Sequence, residues 1–218
     1  MHMHRAYLGA AVATLFGLLL ALLYVPGGAA RQMYPPATAS AALKVDIAGG
    51  HGSGVSIGNG FVITAGHVAK GSKTVTLKTK DGKTRQADVL WINEEYDIAL
   101  LRSDDRTMPA AKLDCRMVTI GEVITAYGNP GSVEFVAAFG RVAGEARVAK
   151  PWESVLVTDI ASAPGMSGGP VFDADRHLVG ITVGGLVASL GQAPSLVGIG
   201  FIVPSKSVCD LLARDVPA

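Results

Sequence analysis

Short apolar and β-branched runs, separated by turn residues, recur along most of this chain. Val75 and Leu77 alternate with Thr74, Thr76 and Lys78, which is the period-two pattern of a strand with one face in water. Clusters of glycine, asparagine and aspartate between the runs predict turns. The predicted strands cover residues 45–48, 54–57, 61–64, 74–79, 84–92, 98–102, 123–127, 133–138, 140–148, 154–158, 171–172, 178–183 and 196–202.

These strands fall into two sets, which a polar crossover at residues 103–112 separates. Two sets of short antiparallel strands are typical of two small barrels packed together, because closure removes exposed strand edges. We therefore expect an all-β domain within residues 43–218, with barrel one at about 43–106 and barrel two at about 117–204.

The end of the chain has a helical rather than a strand-like pattern. Ser205 follows a proline and is a residue type that caps helices. Val208, Leu211 and Leu212 lie at positions i, i+3 and i+4, which places them on one apolar face. We predict a short C-terminal helix over about residues 205–213.

The N-terminal region has a different pattern. After the short region 1–5, residues 6–25 run without a charge, which is long enough to cross a bilayer as a helix. Residues 26–42, with Pro, Ala, Ser and Thr, read as a linker. Segment 6–25 is either an uncleaved signal anchor, which its length favours, or a cleaved signal peptide. Arg5 predicts a cytoplasmic N-terminus, so the domain would be a single-pass membrane protein outside the cytoplasm or secreted.

Composition narrows the possible functions further. The net charge is +1, so nothing indicates a nucleic-acid partner. Cys115 and Cys209 are the two cysteines, and they do not form a clustered zinc pattern. They either pair across the fold or remain buried thiols. We expect no cofactor and no metal, since His2 and His4 alone in a terminal segment rarely form a site.

The candidate chemistry centres on residues 164–170, Pro-Gly-Met-Ser-Gly-Gly-Pro. Such a turn can expose the Ser167 hydroxyl and direct the N–H groups of Gly165 and Ser167 at one point, as in an oxyanion hole. A serine nucleophile needs a base and a group that orients the base. His67 ends an apolar run and Asp97 opens an apolar strand, so both are candidates for these roles.

The order His67, Asp97, Ser167 resembles that of the trypsin-like, chymotrypsin-fold serine proteases, most closely their bacterial HtrA/Deg branch. Further matching motifs occur in the expected order, and the resemblance covers about residues 43 to 213. These motifs are Gly-Ser-Gly-Val at 52–55, Tyr-Gly-Asn-Pro at 127–130, Thr-Asp at 158–159 and Gly-Ile-Gly-Phe-Ile-Val-Pro at 198–204.

The resemblance implies two packed six-stranded antiparallel Greek-key barrels and a serine endopeptidase that acts on protein or peptide substrates. His67, Asp97 and Ser167 would form the triad, with Gly165 and Ser167 as the oxyanion hole. Met166 stands where digestive proteases carry an aspartate, so activation by an ion pair with a new N-terminus is not expected.

The resemblance also bears on assembly. HtrA relatives usually continue into PDZ domains, which we do not expect in these 218 residues, and many of them are trimers. Some trypsin-fold proteins join the linker between the barrels to the C-terminal helix, and Cys115 and Cys209 suit such a disulfide.

The specificity pocket is also inferred from the resemblance. Its base would be Ala161, six residues before the nucleophile, which disfavours a preference for Lys or Arg. We expect small or medium apolar residues before the cleaved bond. The walls would be residues from two segments, namely Ser162, Ala163, Thr182, Val183, Gly184 and Gly185. The strand at 182–186 could also pair with substrate backbone.

Other chemical residues receive structural interpretations. We expect Asp159 to be structural and His51 and His177 to face solvent. A catalytically idle peptide-binding relative is the main alternative function. An α/β-hydrolase elbow at 165–169 is disfavoured, because that fold needs its acid and then its histidine after the serine.

Overall fold

The computed structural model describes residues 40–191 and 193–214. This part of the chain contains twelve strands and two helices. The first half comprises β1 (Ala42–Ile47), β2 (Gly50–Gly58), β3 (Phe61–Ala65), α1 (Gly66–Ala69), β4 (Thr74–Lys78), β5 (Thr84–Asn93) and β6 (Ile98–Arg102). The second half comprises β7 (Val123–Gly128), β8 (Val136–Ala149), β9 (Trp152–Thr158), β10 (Pro170–Phe172), β11 (Leu178–Leu190), β12 (Ala193–Pro204) and α2 (Ser205–Arg214).

The strands form two closed six-stranded barrels, which confirms the predicted fold class. Barrel one has the order β1-β2-β3-β6-β5-β4 and closes through pairing of β1 with β4. Barrel two has the order β10-β11-β12-β9-β8-β7 and closes through pairing of β10 with β7. All the strand pairs are antiparallel.

Two features of barrel two differ from the sequence prediction. The predicted strands 133–138 and 140–148 form one strand, β8, because Phe139 and Gly140 continue the ladder opposite Thr125 and Ile124 without interruption. Strands β11 and β12 also extend well beyond their predicted ends and form a long two-stranded arm. The arm begins where the pairing of β11 with β10 ends, at Ile181.

The core explains why both barrels hold their shape. Large side chains on alternate strand positions are fully buried, and burying each such side chain stabilises a fold by about 1.5–3 kcal/mol. A single buried cluster also joins barrel one to part of barrel two and to α2. The largest fully buried side chains are Phe172, Leu43, Ile63, Leu77, Ile98, Leu101, Ile124, Leu156, Ile160, Leu178, Ile181 and Ile202.

Helix α2 packs as predicted, and its first residue, Ser205, contacts the segment between the barrels. Val208 and Leu211 are buried, which confirms the apolar face. The Ser205 hydroxyl donates a hydrogen bond to the carbonyl oxygen of Asp114, in the segment between the barrels. This contact ties the helix to the linker.

A disulfide reinforces the same contact. Cys115 and Cys209 are bonded, with Cα atoms 5.7 Å apart and a sequence separation of 94. Of the two states left open by the sequence, the structure shows the paired one, and it joins the elements that the resemblance implied.

The barrels are also joined by ion pairs at the surface. Glu134, in the loop between β7 and β8, lies 3.1 Å from Lys44 of β1 and 2.7 Å from Lys78 of β4. Hydrogen bonds from Lys78 and Lys44 lower the pKa of the Glu134 carboxyl. The next residue, Phe135, donates its amide N–H to the Asn129 side chain at 3.0 Å.

The predicted regions 1–5 and 6–25 and most of the linker 26–42 lie outside the described residues. Within residues 40–191 and 193–214, no helix is sufficiently long and apolar to cross a membrane.

The disulfide should make a measurable contribution to stability. We expect the double variant Cys115→Ala, Cys209→Ala to lower the free energy of unfolding by about 2–5 kcal/mol, since the crosslink restricts the unfolded chain. Urea unfolding of both proteins measures this difference. A reductant should destabilise the native protein and leave the double variant unchanged; equal midpoints for the two proteins without reductant would contradict the prediction.

Candidate active site

A cleft of about 420 Å³ brings together residues from both barrels. Barrel one contributes His67 and Val68 from α1, and barrel two contributes Ser167 from the loop before β10. The described residues that line it are Ile47, Gly50, His51, His67, Val68, Ser162, Ala163, Pro164, Gly165, Ser167, Gly184, Gly185, Val187 and Leu196. Two of the three predicted catalytic side chains therefore line one cleft.

The third predicted residue, Asp97, forms two hydrogen bonds with His67. His67 Nδ1 lies 2.7 Å from Asp97 Oδ2, and the His67 backbone N–H donates to Asp97 Oδ1, also at 2.7 Å. Because β3 and β6 pair side by side, the residues that follow β3 and precede β6 meet at the same end of barrel one. The two hydrogen bonds fix both the ring and the carboxylate.

A residue of barrel two also contacts the His67–Asp97 pair. The indole Nε1–H of Trp152 donates to Asp97 Oδ2 at 2.9 Å. Burial tends to raise the pKa of the Asp97 carboxyl, but the hydrogen bonds from His67 and Trp152 outweigh burial and lower the pKa below its usual value. Asp97 is only 8% exposed, yet these donors favour its charged form.

The loop that carries Ser167 has a backbone conformation that requires glycine. Gly165 has φ = 97°, in the left-handed region that side chains other than glycine rarely adopt. A Cβ at this position would also overlap the carbonyl oxygen of Asn129. The structure thus gives Gly165 two independent reasons to be glycine.

The same loop is held by a buried hydroxyl of barrel one. Ser53 Oγ donates to the Gly165 carbonyl at 2.7 Å, and the Ser53 N–H donates to the Ser167 carbonyl at 2.7 Å. The same hydroxyl accepts hydrogen bonds from Asn129 N at 3.0 Å and Nδ2 at 2.9 Å. On the other side, Gly168 N donates to the Thr182 carbonyl at 2.7 Å.

The reactive atoms themselves are left accessible. Ser167 is half-buried, and in the described part of the chain neither its N–H nor that of Gly165 is bonded to a protein acceptor. Over the same residues, no hydrogen bond joins the Ser167 hydroxyl to the His67 ring. Catalytic hydrogen bonds are often long in the free enzyme and tighten when substrate binds.

The predicted pocket residues divide into two groups. Ser162, Ala163, Gly184 and Gly185 line the cleft that contains His67 and Ser167. The remaining three do not line it: Ala161 is exposed, and Thr182 and Val183 are each 2% exposed. Val183 instead borders a neighbouring cavity of about 470 Å³, together with Asp97 and Trp152.

The other histidines and acids have structural contacts. His51, predicted to face solvent, is half-buried and lines the cleft, and its Nε2 lies 2.8 Å from the Asn129 carbonyl oxygen. His177 is also half-buried, 3.8 Å from Asp173.

Asp159 accepts the Arg141 N–H, in agreement with a structural role. Met166 is buried in the core of barrel two.

Asp114, Asp173 and His177 lie close enough together to be considered as a metal site. Arg116 occupies this position, because its guanidinium lies 3.1 Å from Asp114 and 2.9 Å from Asp173. The positive charge of Arg116 already neutralises these carboxylates and leaves no reason for a cation to bind.

Sequence reasoning did not identify Ser53, Trp152 or His51 as residues of this site. Ser53 belongs to the motif at 52–55, which is the one sequence signal that points to this residue. Trp152 lies 55 residues from its partner Asp97, and no local pattern links the two positions.

Two closed barrels with a serine, a histidine and an aspartate at the cleft between them define the trypsin-like class of fold. The comparisons agree, since residues 52–181 match the family described as trypsin-like peptidase domain. The chain belongs to this family.

Individual relatives confirm the predicted resemblance to the HtrA/Deg branch. The chain is 30% identical over 171 residues to a probable periplasmic serine endoprotease, DegP-like, of Marinomonas sp. strain MWYL1, covering 75% of this chain and 36% of the relative. It is 29% identical over 174 residues to Protease Do-like 1, chloroplastic, of Arabidopsis thaliana, covering 75% of this chain and 39% of the relative. The chain thus spans little more than a third of these relatives.

Solved structures share the same fold. The HtrA-type protease AlgW with tripeptide is 27% identical, with a TM-score of 0.70 over 81% of this chain and 60% of that one. The Rv3671c protease in its inactive form is 25% identical, with a TM-score of 0.70 over 82% of this chain and 90% of that one.

The lowered pKa of Asp97 predicts a pH-dependent contribution to stability. A folded-state pKa below the unfolded value of about 3.9 stabilises the fold at higher pH, and this contribution is lost as the pH falls through the folded pKa. The stability advantage of the native protein over Asp97→Asn should therefore decrease from pH 5 to pH 2 in urea unfolding. The exposed control Asp210→Asn should have a small effect throughout, and an Asp97→Asn difference that does not change with pH would contradict the prediction.

Proposed function

We propose that this protein is a serine endopeptidase that hydrolyses peptide bonds with His67, Asp97 and Ser167. The observation that carries the proposal is the doubly bonded His67–Asp97 pair, whose ring lines the same cleft as Ser167. Membership of the trypsin-like peptidase family supports it.

In this mechanism, the Ser167 hydroxyl attacks the peptide carbonyl carbon as His67 Nε2 takes its proton. The tetrahedral intermediate then expels the amine, to which His67 returns the proton, and leaves an acyl ester on Ser167. Water releases the acyl group by the same steps. Asp97, bonded to Nδ1, keeps Nε2 free to act as the base and stabilises the imidazolium.

The Gly165 and Ser167 amides would bind the negative oxygen of the intermediate. This role is supported by the backbone of Gly165, which side chains would prevent, and by the Ser53 contacts that hold the loop. Such a donor typically contributes about 3 kcal/mol to transition-state stabilisation.

Substrate would lie along the arm formed by β11 and β12. The last backbone bonds on this side of β11 join Thr182 to Gly168 and Gly169. Beyond them β11 pairs with β12, so its other edge is open at Gly184 and Gly185, which line the cleft. An extended peptide can add to such an edge through main-chain hydrogen bonds.

The cleft favours apolar side chains near the cleaved bond. Val187 and Leu196 face each other across the arm and both line the cleft, as do Ile47 and Val68. No acidic residue is present among the described lining residues, which supports a preference for small or medium apolar residues over Lys or Arg.

The protein would act outside the cytoplasm. The Cys115–Cys209 disulfide supports this location, because disulfides persist in oxidising compartments, and the Marinomonas relative is named periplasmic. The apolar segment 6–25 would serve as a membrane anchor or as a signal that is removed.

A catalytically idle peptide-binding protein is the second candidate. The observation that favours it is the lack of a Ser167–His67 hydrogen bond among the described residues. A peptide held along the open edge of β11 would then be bound without being cut.

The variant Ser167→Ala separates these functions. We expect casein cleavage to fall at least about a thousand-fold and labelling by a fluorophosphonate probe to be lost, since both require the hydroxyl. Ser207→Ala on α2 is the matched control and should retain both. A native protein that binds peptides but neither cleaves nor reacts with the probe would favour the idle function.

Gly185 provides a test of the pocket. A Cβ at this position would lie 3.3 Å from both Leu196 Cδ2 and Ser162 Cβ, so Gly185→Ala should narrow the pocket from within. We expect cleavage after Leu to fall at least about ten-fold more than cleavage after Ala, consistent with the about 10- to 200-fold that one methylene is worth in an apolar pocket.

A library of peptides that differ only at the residue before the cleaved bond measures this ratio in the native and variant proteins. Ser207→Ala, on α2 and not among the residues that line the cleft, is the control. An equal loss for both residues, or a native preference for Lys or Arg, would overturn the assignment of the pocket.

A further inference from the structure

We propose that Trp152 is a positioning residue, which holds the Asp97 carboxylate against His67 from the second barrel. The inference rests on the proposed function, because it assigns a role in the same reaction to a residue outside the triad. It depends on the geometry around one carboxylate oxygen.

The Asp97 carboxylate has three protein donors, and Trp152 is one of them. Oδ2 accepts from His67 Nδ1 at 2.7 Å and from Trp152 Nε1 at 2.9 Å, while Oδ1 accepts from the His67 backbone at 2.7 Å. A carboxylate oxygen has about two lone-pair sites, so the two donors occupy Oδ2. The carboxylate can rotate only by breaking one of these bonds.

The indole is itself held firmly in place. A Cβ on Gly184 would lie 2.7 Å from Trp152 Cη2, so the ring occupies the space that the missing side chain leaves. The indole also contacts Phe201, whose ring centre lies 5.6 Å from that of Trp152. In addition, the Glu153 N–H donates to the Glu95 carbonyl at 3.1 Å, which fixes the backbone of β9 next to the segment before Asp97.

The neighbouring residues offer no substitute for this donor. Val183 borders the same cavity as Asp97 and Trp152, but its side chain has no N–H or O–H group. The charged groups nearby, Lys70 and Glu94, pair with each other at 2.8 Å. In the described part of the chain, the indole is therefore the one barrel-two side chain that donates to Asp97.

This arrangement has a consequence for catalysis. Asp97 has to remain ionised and correctly oriented in order to stabilise the imidazolium, yet burial acts against its charge. A donor to the charged form offsets burial. Because the donor comes from barrel two and its acceptor from barrel one, the orientation of the base depends on how the barrels meet.

The chain provides a matched control for testing this role. It has two tryptophans, and the buried Nε1 of Trp91 has no hydrogen-bond partner among the described residues. The change Trp→Phe therefore removes a bonded N–H at position 152 and an unbonded one at position 91, with a similar loss of ring volume.

We expect Trp152→Phe to lower kcat about ten- to a hundred-fold with KM changed less than two-fold, as expected for loss of a hydrogen bond to a charged group. The acidic limb of the pH–rate profile should move to higher pH. A carboxylate that has lost a hydrogen-bond donor attracts protons more strongly, so the protonated, inactive form of the His67–Asp97 pair persists to higher pH. Trp91→Phe should change none of these quantities. A purely structural indole would lower the folded fraction and leave the profile of the active molecules in place, which would overturn the proposal.

A second measurement does not depend on proteolysis. In Trp91→Phe the one remaining indole is that of Trp152, so its N–H gives a single proton NMR signal. We expect this signal to lie downfield, to exchange slowly with solvent and to move when Asp97→Asn is added. A signal that exchanges freely and does not respond to Asp97→Asn would overturn the contact.

The two measurements separate this inference from the function on which it rests. A native protein that neither cleaves casein nor reacts with a fluorophosphonate contradicts the proposed protease, while the NMR signal still tests the Trp152–Asp97 contact. An active native protein whose Trp152→Phe variant keeps its kcat and pH profile contradicts the positioning role alone. If Trp152→Phe fails to fold, the Trp91→Phe protein still contains the native indole and its signal decides.

Discussion

The structure depends on one buried hydroxyl at the junction of the barrels. Ser53, on β2, is fully buried and forms hydrogen bonds with Asn129 and Gly165, which belong to barrel two. Each such bond contributes only about 1 kcal/mol net, but removing the hydroxyl would leave several buried groups unpaired, at about 1–3 kcal/mol each. The position of the nucleophile loop is therefore set by barrel one, although the loop belongs to barrel two.

The sequence predicted the barrels and the triad candidates because their signals are local. The period-two pattern is a property of neighbouring residues, and His67, Asp97 and Ser167 each lie in a short recognisable motif. The supporting contacts are not local: Ser53 lies 112 residues from Gly165 and Trp152 lies 55 residues from Asp97. Such contacts depend on how the barrels pack, which no local pattern records.

The same limit explains the pocket predictions. Gly184 and Gly185 line the cleft as expected, but Thr182 and Val183 are buried, because Thr182 is still bonded to Gly168 and Gly169 and Val183 packs in the buried cluster. The sequence indicated a strand over this stretch without showing where it leaves the barrel. Val187 was missed for a related reason, since the predicted strand 178–183 ended before it. Leu196 opened a predicted strand, but nothing in the sequence indicated its pairing with Val187 across the arm.

Glu134 shows that the barrels are joined in two ways that respond differently to the surroundings. Its contacts with Lys44 and Lys78 lie at the surface, where dissolved electrolyte weakens attraction between charges. One residue further on, the Phe135 amide begins the chain of interior hydrogen bonds through Asn129 to Ser53, which ionic strength affects far less. A change in salinity would thus loosen the outer connection between the half-molecules and leave the inner one intact.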